Sequence, residues 1–226
     1  MEKYNKILIY QYGKVGSTSF QSSIKNSKYY NNIVENYNTF GIKTHNHMVA
    51  KDVLKKYKNI LIVLGIRLPI NRNISCFWEN INLKNHFPNY RNDNITSIVN
   101  KYKEIYNNNI NDSFLSESFE LLDIIINDIK FDFDKKYYVT SKNSNNILIY
   151  RFEDFEYLIK NVFPKYDIII KKDHYPSYKK DYYNKYLLHK RKYKVDEIEK
   201  KRIRNSIYLN KFYKKEKIKN HINEYS

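Results

Sequence analysis

Apolar residues in this 226-residue chain fall in short blocks between long polar stretches. Ile7-Leu8-Ile9-Tyr10, the run from Ile60 to Ile66 and Ile147-Leu148-Ile149-Tyr150 are continuous and rich in β-branched side chains, as strands buried on both faces are. The pattern predicts strands over residues 6–12, 41–45, 59–65, 136–140, 146–151 and 167–171. Helices are predicted over 17–26, 47–56, 70–80, 94–106, 113–129 and 153–161, and over much of 176–216. Pro69 suits the first turn of the third of these. Alternation of this kind implies an α/β fold: a central, mostly parallel sheet flanked by helices, with a helical C-terminal part. No repeat and no Pro/Gly/Ser-rich linker interrupts the chain, so residues 1–226 read as a single domain. Ligands gather at the carboxyl ends of such strands. The Asn-rich stretch 85–111 reads as an excursion over the site rather than core.

Composition narrows the setting. The longest apolar runs are far too short to span a bilayer, and the four apolar residues after the N-terminal segment do not make a signal-peptide core. A lone cysteine, Cys76, excludes an internal disulfide and a cysteine-rich metal site; beside Phe77 and Trp78 it reads as buried packing. These features predict a soluble, cytoplasmic protein. The formal charge is +17, and residues 178–226 hold 16 Lys and Arg against 6 Asp and Glu. Such a basic surface concentrates anionic partners: nucleotides, acidic glycans, nucleic acid or an anionic surface met peripherally. Lys, Asn, Ile and Tyr also dominate where coding is AT-rich, so charge alone does not choose among them.

The glycines change the picture. Only four occur, and two lie in Gly13-Lys14-Val15-Gly16-Ser17-Thr18-Ser19, directly after the first apolar block. A strand that breaks at glycines and restarts as a helix aims several backbone N–H groups at one spot, where Lys14 adds a full charge. The nucleoside-triphosphate loop places lysine after its second glycine, whereas Lys14 precedes Gly16. Those enzymes also end a strand in a magnesium-binding aspartate; here the strand over 59–65 runs into Arg67. Arg67, followed by Arg72 and Ser75, offers a second anion site, each charge-assisted hydrogen bond contributing roughly 1.5–3 kcal/mol. Two separated cradles imply a nucleotide with anionic groups at both its 5′ and 3′ positions.

These motifs resemble those of the sulfotransferases that use 3′-phosphoadenosine 5′-phosphosulfate (PAPS). Lys14-Val15-Gly16-Ser17-Thr18-Ser19 resembles the loop that cradles the 5′-phosphosulfate, and Arg67 with Ser75 resembles the pair that holds the 3′-phosphate. Lys43-Thr44-His45 is similar to the strand end that carries the catalytic histidine of cytosolic members. Ile149-Tyr150-Arg151-Phe152-Glu153-Asp154 is similar to an Arg-x-Glu-Asp strand end of the family, and Tyr208-Leu209-Asn210-Lys211-Phe212-Tyr213 to capsular-polysaccharide-associated bacterial members. Position 19 holds serine where many cytosolic members carry an adenine-packing tryptophan. The resemblance implies a P-loop-like sulfotransferase fold and transfer of a sulfuryl group from PAPS to a hydroxyl acceptor, a carbohydrate. Its implied residues are His45 as base (His47 in reserve), Lys14 and Lys43 neutralising charge, and Val15, Gly16, Ser17, Thr18, Ser19, Arg67 and Ser75 holding the nucleotide, with no metal. Histidine, with an ordinary pKa near 6.5, suits the base.

Plainer readings stand beside these. Arg72 is as well explained as a solvent-facing helix residue, Glu153 and Asp154 as helix caps, Phe119, Leu122 and Ile126 as core, and the basic Tyr-rich tail as a solvated helical face. The alternative function is a non-catalytic basic α/β module whose cradles bind nucleic acid or another polyanion. A kinase with an unusual loop is a third.

Overall fold

Every residue of the strand Ile60–Ile66 is buried, and the sheet is assembled around it. The computed structural model describes residues 4, 6–11, 13–16, 46–81, 90–106, 112–166, 168 and 180–226. Among them are four strands: β1 (Lys6–Ile9), β2 (Ile60–Ile66), β3 (Tyr137–Lys142) and β4 (Asn145–Arg151), in the order β1-β2-β4-β3. The expected strand 41–45 and nearly all of 167–171 lie outside the described residues, as do the expected helix 17–26 and the start of the 176–216 segment.

Two compact units emerge, each drawn from two stretches of chain: Met1–Arg67 with Ser113–His174, and Leu68–Asp112 with Tyr175–Ser226. The first holds the sheet. β1 pairs in parallel with β2 (Ile7 beside Leu61), and β2 in parallel with β4 (Ile62 beside Ile147). β3 is antiparallel to β4, so the sheet is mixed. Only Asn143 and Ser144 separate β3 from β4, and both adopt left-handed φ, 50° and 64°. A two-residue turn with two positive φ values closes a hairpin, whereas a parallel return needs a crossover of a dozen or more residues.

Alternate strand residues serve opposite faces. Ile7, Ile9, Leu61, Val63, Leu148 and Tyr150 pack with Leu158 of α5 (Phe155–Asn161). On the other face, Ile62 and Ile147 line one cavity together with Leu54 of α1 (His47–Lys56) and Leu121 and Leu122 at the end of α4 (Asp112–Leu121). The sheet is thus flanked by helices on both sides. Helix 113–129 was expected to be continuous; α4 stops at Leu121 because Asp123 turns left-handed. Its N–H then bonds Glu120 O while Ile124 N–H bonds Phe119 O, the paired closure of a Schellman cap. A short 3-10 turn, Ile126–Asp128, follows.

The second unit is helical: α2 (Pro69–Glu79), α3 (Ile95–Tyr106), α6 (Tyr183–Lys192), α7 (Glu197–Asn205), α8 (Ile207–Phe212) and α9 (Lys215–Glu224). Pro69 opens α2 as expected. The C-terminal part is several helices rather than one because Asp196 and Ser206 cap new starts, accepting from the N–H groups of Glu199 and Leu209. Two expectations are overturned. Ile98, Val99 and Tyr102 of the Asn-rich stretch are core, and so are Tyr193, Tyr208, Tyr213 and Tyr225 of the basic tail. Amphipathic spacing outweighs polar composition in both. Among the described residues no helix is long and apolar enough to cross a membrane.

At the centre of this unit the indole N–H of Trp78 donates to Nδ1 of His189 at 3.0 Å, with the Tyr102 ring edge-on to His189 at 4.7 Å. That bond places the imidazole proton on Nε2, which is buried with no hydrogen-bond partner among the described residues. Burial holds the His189 pKa down to about 3. Below pH about 6.5 the unfolded chain therefore takes up a proton that the folded chain refuses until about 3. Stability should fall on acidification through that window by up to about 1.4 kcal/mol per pH unit, and be flat above it. Urea denaturation at pH 7.5, 6.5 and 5.5 checks this: His189→Gln, which keeps an acceptor for Trp78, should flatten the pH dependence. An equal slope in both proteins would refute it.

Candidate functional site

The three parallel strands end at one edge of the sheet, and the glycine loop leaves β1 there. Lys14 and Gly16 take positive φ, 71° and 90°, with Val15 between them fully buried. Alternating signs of φ are the backbone pattern from which an anion nest, a concavity of successive N–H groups, can be built. Lysine in the left-handed region costs roughly 1 kcal/mol, so surrounding bonds must hold the loop. Two do. Arg67, just past β2, donates from Nη1 to the Lys14 carbonyl at 2.7 Å. The Tyr150 hydroxyl on β4 donates to the Val15 carbonyl, and lies 3.3 Å from Oε1 of Gln11. Burial pushes the Tyr150 phenol well above its ordinary pKa, so it stays a neutral donor.

Close packing explains the glycines. A Cβ on Gly16 would sit 2.9 Å from the Phe155 ring, and one on Gly65 of β2 would meet the Tyr150 hydroxyl at 2.8 Å and Val15 Cβ at 3.0 Å. Gly65 and Tyr150 are register partners on β2 and β4, and the ring lies across the glycine to reach the loop. Beside the loop, the Arg67 guanidinium lies 4.4 Å from the centre of the Phe152 ring, itself stacked on Phe155 at 5.7 Å. Gln11 is fully buried, and its Nε2 has no hydrogen-bond partner among the described residues.

The structure thus brings Lys14, Val15, Gly16 and Arg67 together. Ser75 lies half-buried on α2, in the second unit. Ser17, Thr18, Ser19, Lys43 and His45 lie outside the described residues. Arg72 is buried, donating to Asn73 Oδ1 at 3.0 Å, so it is not the solvent-facing residue that helical position allowed. Asp154 stands at the start of α5 without capping it: its carboxylate pairs with Arg151, which also packs over the rings of Phe131 and Phe133. The strand-end arginine on β4 is consumed by structure. Cys76 is half-buried rather than core, its sulfur accepting from the Asn80 amide at 3.4 Å.

No family model matches the chain, and neither do curated proteins or solved structures.

Sequence reasoning missed a second arrangement at the same edge. Tyr10, which follows β1, directs its hydroxyl to Nδ1 of His47, and His47 Nε2 meets Glu117 Oε2 at 2.8 Å. Phe114 packs on the imidazole at 5.0 Å. The carboxylate fixes the proton on Nε2, leaving Nδ1 to accept from the phenol. Burial foremost raises the Tyr10 pKa to about 12, so this hydroxyl remains a donor. With both ring nitrogens engaged, His47 fastens α1 to β1 and α4 and turns no nitrogen toward an incoming hydroxyl. Nothing in the spacing of residues 10, 47 and 117 announces the chain. Tyr10→Phe and Glu117→Gln should be coupled through His47 by at least about 0.5 kcal/mol in a double-mutant cycle of urea stability. Strict additivity would mean two independent bonds.

Proposed function

We propose that the protein is a sulfotransferase that uses PAPS and sulfates a hydroxyl on a carbohydrate. One observation carries the reading: the Arg67 guanidinium bonds the Lys14 carbonyl at 2.7 Å, so a strand-end cation and a glycine-lysine nest share one place at the carboxyl edge of parallel strands. An aspartate there would serve a magnesium-bound triphosphate; an arginine serves an anionic group held by protein alone.

The residues present fit the nucleotide. The nest and Lys14 supply donors for the 5′ group, Arg67 a planar fork for a phosphate, and Phe152 and Phe155 an aromatic shelf beside them. Gln11 Nε2 is a buried donor under the loop that lacks an acceptor among the described residues. When bound, the nucleotide supplies the sulfuryl group, whose bond to the 5′-phosphate oxygen breaks as the acceptor oxygen bonds sulfur. Lys14 opposes the charge gathering on the phosphate, and the nest fixes where that charge sits before reaction. A base must take the acceptor proton. His47 is held by Tyr10 and Glu117, so His45 remains the proposed base, with Lys43 assisting Lys14.

Thermal unfolding with adenosine 3′,5′-bisphosphate, against ADP and ATP with magnesium, tests the reading. A ligand at 100 times its Kd stabilises by about 2.7 kcal/mol. The bisphosphate alone should raise Tm in the wild type and fail to do so in Arg67→Ala. Because that change also frees the loop, Lys14→Gly is the second variant. It keeps the left-handed backbone, leaves stability within about 1 kcal/mol, and should lose the bisphosphate effect. A preference for magnesium ATP, or no shift with any nucleotide, would sink the proposal.

A further inference from the structure

Tyr150 is fully buried, so it acts on any ligand of the glycine loop only through the loop itself. Its hydroxyl lies 2.5 Å from the Val15 carbonyl oxygen and 3.3 Å from Gln11 Oε1. A phenol has one hydrogen to give, and the nearer oxygen takes it. A trans peptide sets its C=O and N–H in opposite directions. Holding the Val15 oxygen toward Tyr150 therefore turns the Gly16 N–H away from Tyr150. Holding the Lys14 oxygen toward Arg67 turns the Val15 N–H away from Arg67 in the same manner. Neither N–H has a hydrogen-bond partner among the described residues, although Val15 is fully buried. Folded chains rarely leave a buried N–H orphaned, and here two successive ones follow Lys14. What such a pair lacks is an acceptor, and a tetrahedral oxyanion offers acceptors only.

Without the hydroxyl, the Val15 carbonyl becomes a buried acceptor with no donor, and the peptide gains by rotating that oxygen outward. The same rotation turns the Gly16 N–H inward and puts a carbonyl where an anion would sit. Glycine at position 16 makes the rotation sterically accessible. We infer that Tyr150 is a positioning residue. It fixes the Val15–Gly16 peptide with its N–H toward the ligand side, and so sets the loop's affinity for an oxyanion. That this oxyanion is the 5′ group of a nucleotide rests on the transferase reading; the dependence on Tyr150 does not. Arg67 adds a charge as well as a tether, whereas Tyr150 contributes geometry alone.

Gly16 is the only glycine preceded by valine, so isotopic labelling of valine carbonyls and glycine amides isolates its N–H as one magnetic-resonance signal. In the full chain, inorganic phosphate and adenosine 3′,5′-bisphosphate should each move this amide proton downfield as it acquires an acceptor. Tyr150→Phe should weaken both anions by at least about tenfold. Ile149→Val trims a buried side chain on the opposite face of β4 and should alter them by about twofold at most. Gly65→Ala, whose Cβ would meet the Tyr150 hydroxyl at 2.8 Å, should lose affinity as Tyr150→Phe does. The two changes together should lose no more than Tyr150→Phe alone, because the tether is lost only once. Equal, small effects of Tyr150→Phe and Ile149→Val would make Tyr150 purely structural and overturn the inference, leaving the nucleotide reading in place. An amide signal that neither anion moves would overturn it as well, whatever the bisphosphate does to Tm. Phosphate shifts that depend on Tyr150, with the bisphosphate binding no tighter than phosphate, would fell the transferase proposal and leave this inference standing.

Discussion

Arg67 and Tyr150 each bond a carbonyl of the same short loop, at Lys14 and Val15, and the geometry of the carboxyl edge depends on that double tether. The loop contains a lysine in left-handed conformation, an arrangement no local preference supports. What sustains it is the parallel register, which ends β2 and β4 beside the exit of β1 and so delivers both donors. The strands need their hydrophobic faces to pair in this order, and the loop needs the strands. The geometry of the loop is therefore a property of the sheet, expressed through two side chains.

Much of the sheet was legible in the sequence because a strand buried on both faces has no polar residue to spare: Ile60–Ile66 and Ile147–Tyr150 could hardly be anything else. β3 was placed but not oriented. Its half-exposed residues carry a weak signal, and the Asn143-Ser144 turn, the clue to a hairpin, lacks the glycine that usually marks one. The C-terminal breaks were signalled by Asp196 and Ser206, capping residues that a basic, tyrosine-rich composition obscured. At the site, the glycine-lysine loop and Arg67 were readable from type and spacing. The partners that hold them were not: Tyr150 lies 135 residues from Val15, and the Tyr10 to His47 to Glu117 chain spans three elements. Long-range hydrogen bonds leave no periodic trace.

The two units solve the burial problem differently. The sheet unit buries aliphatic side chains and spends its polar contacts at the strand ends. The helical unit fills its interior with Trp78, Tyr102, His189, Tyr193 and Tyr225, side chains that bring polar atoms inside and require partners. Most are found, as between Tyr193 and Glu199, while His189 Nε2 and Tyr102 Oη have no hydrogen-bond partner among the described residues. A basic exterior over such a core places the acid-sensitive histidine inside helices whose charged residues mostly face outward.

Gly65 shows how tightly sequence freedom is bound to this architecture. Its backbone needs no unusual φ; the space above it is simply occupied by Tyr150 on its way to Val15. Positions 65 and 150 consequently form one physical unit. Enlarging residue 65 displaces the tyrosine, and with it the hydrogen bond that pins the loop, whereas keeping the tyrosine in place requires the glycine. In a chain rich in lysine, asparagine and isoleucine, this is one pair in which neither side chain can change alone.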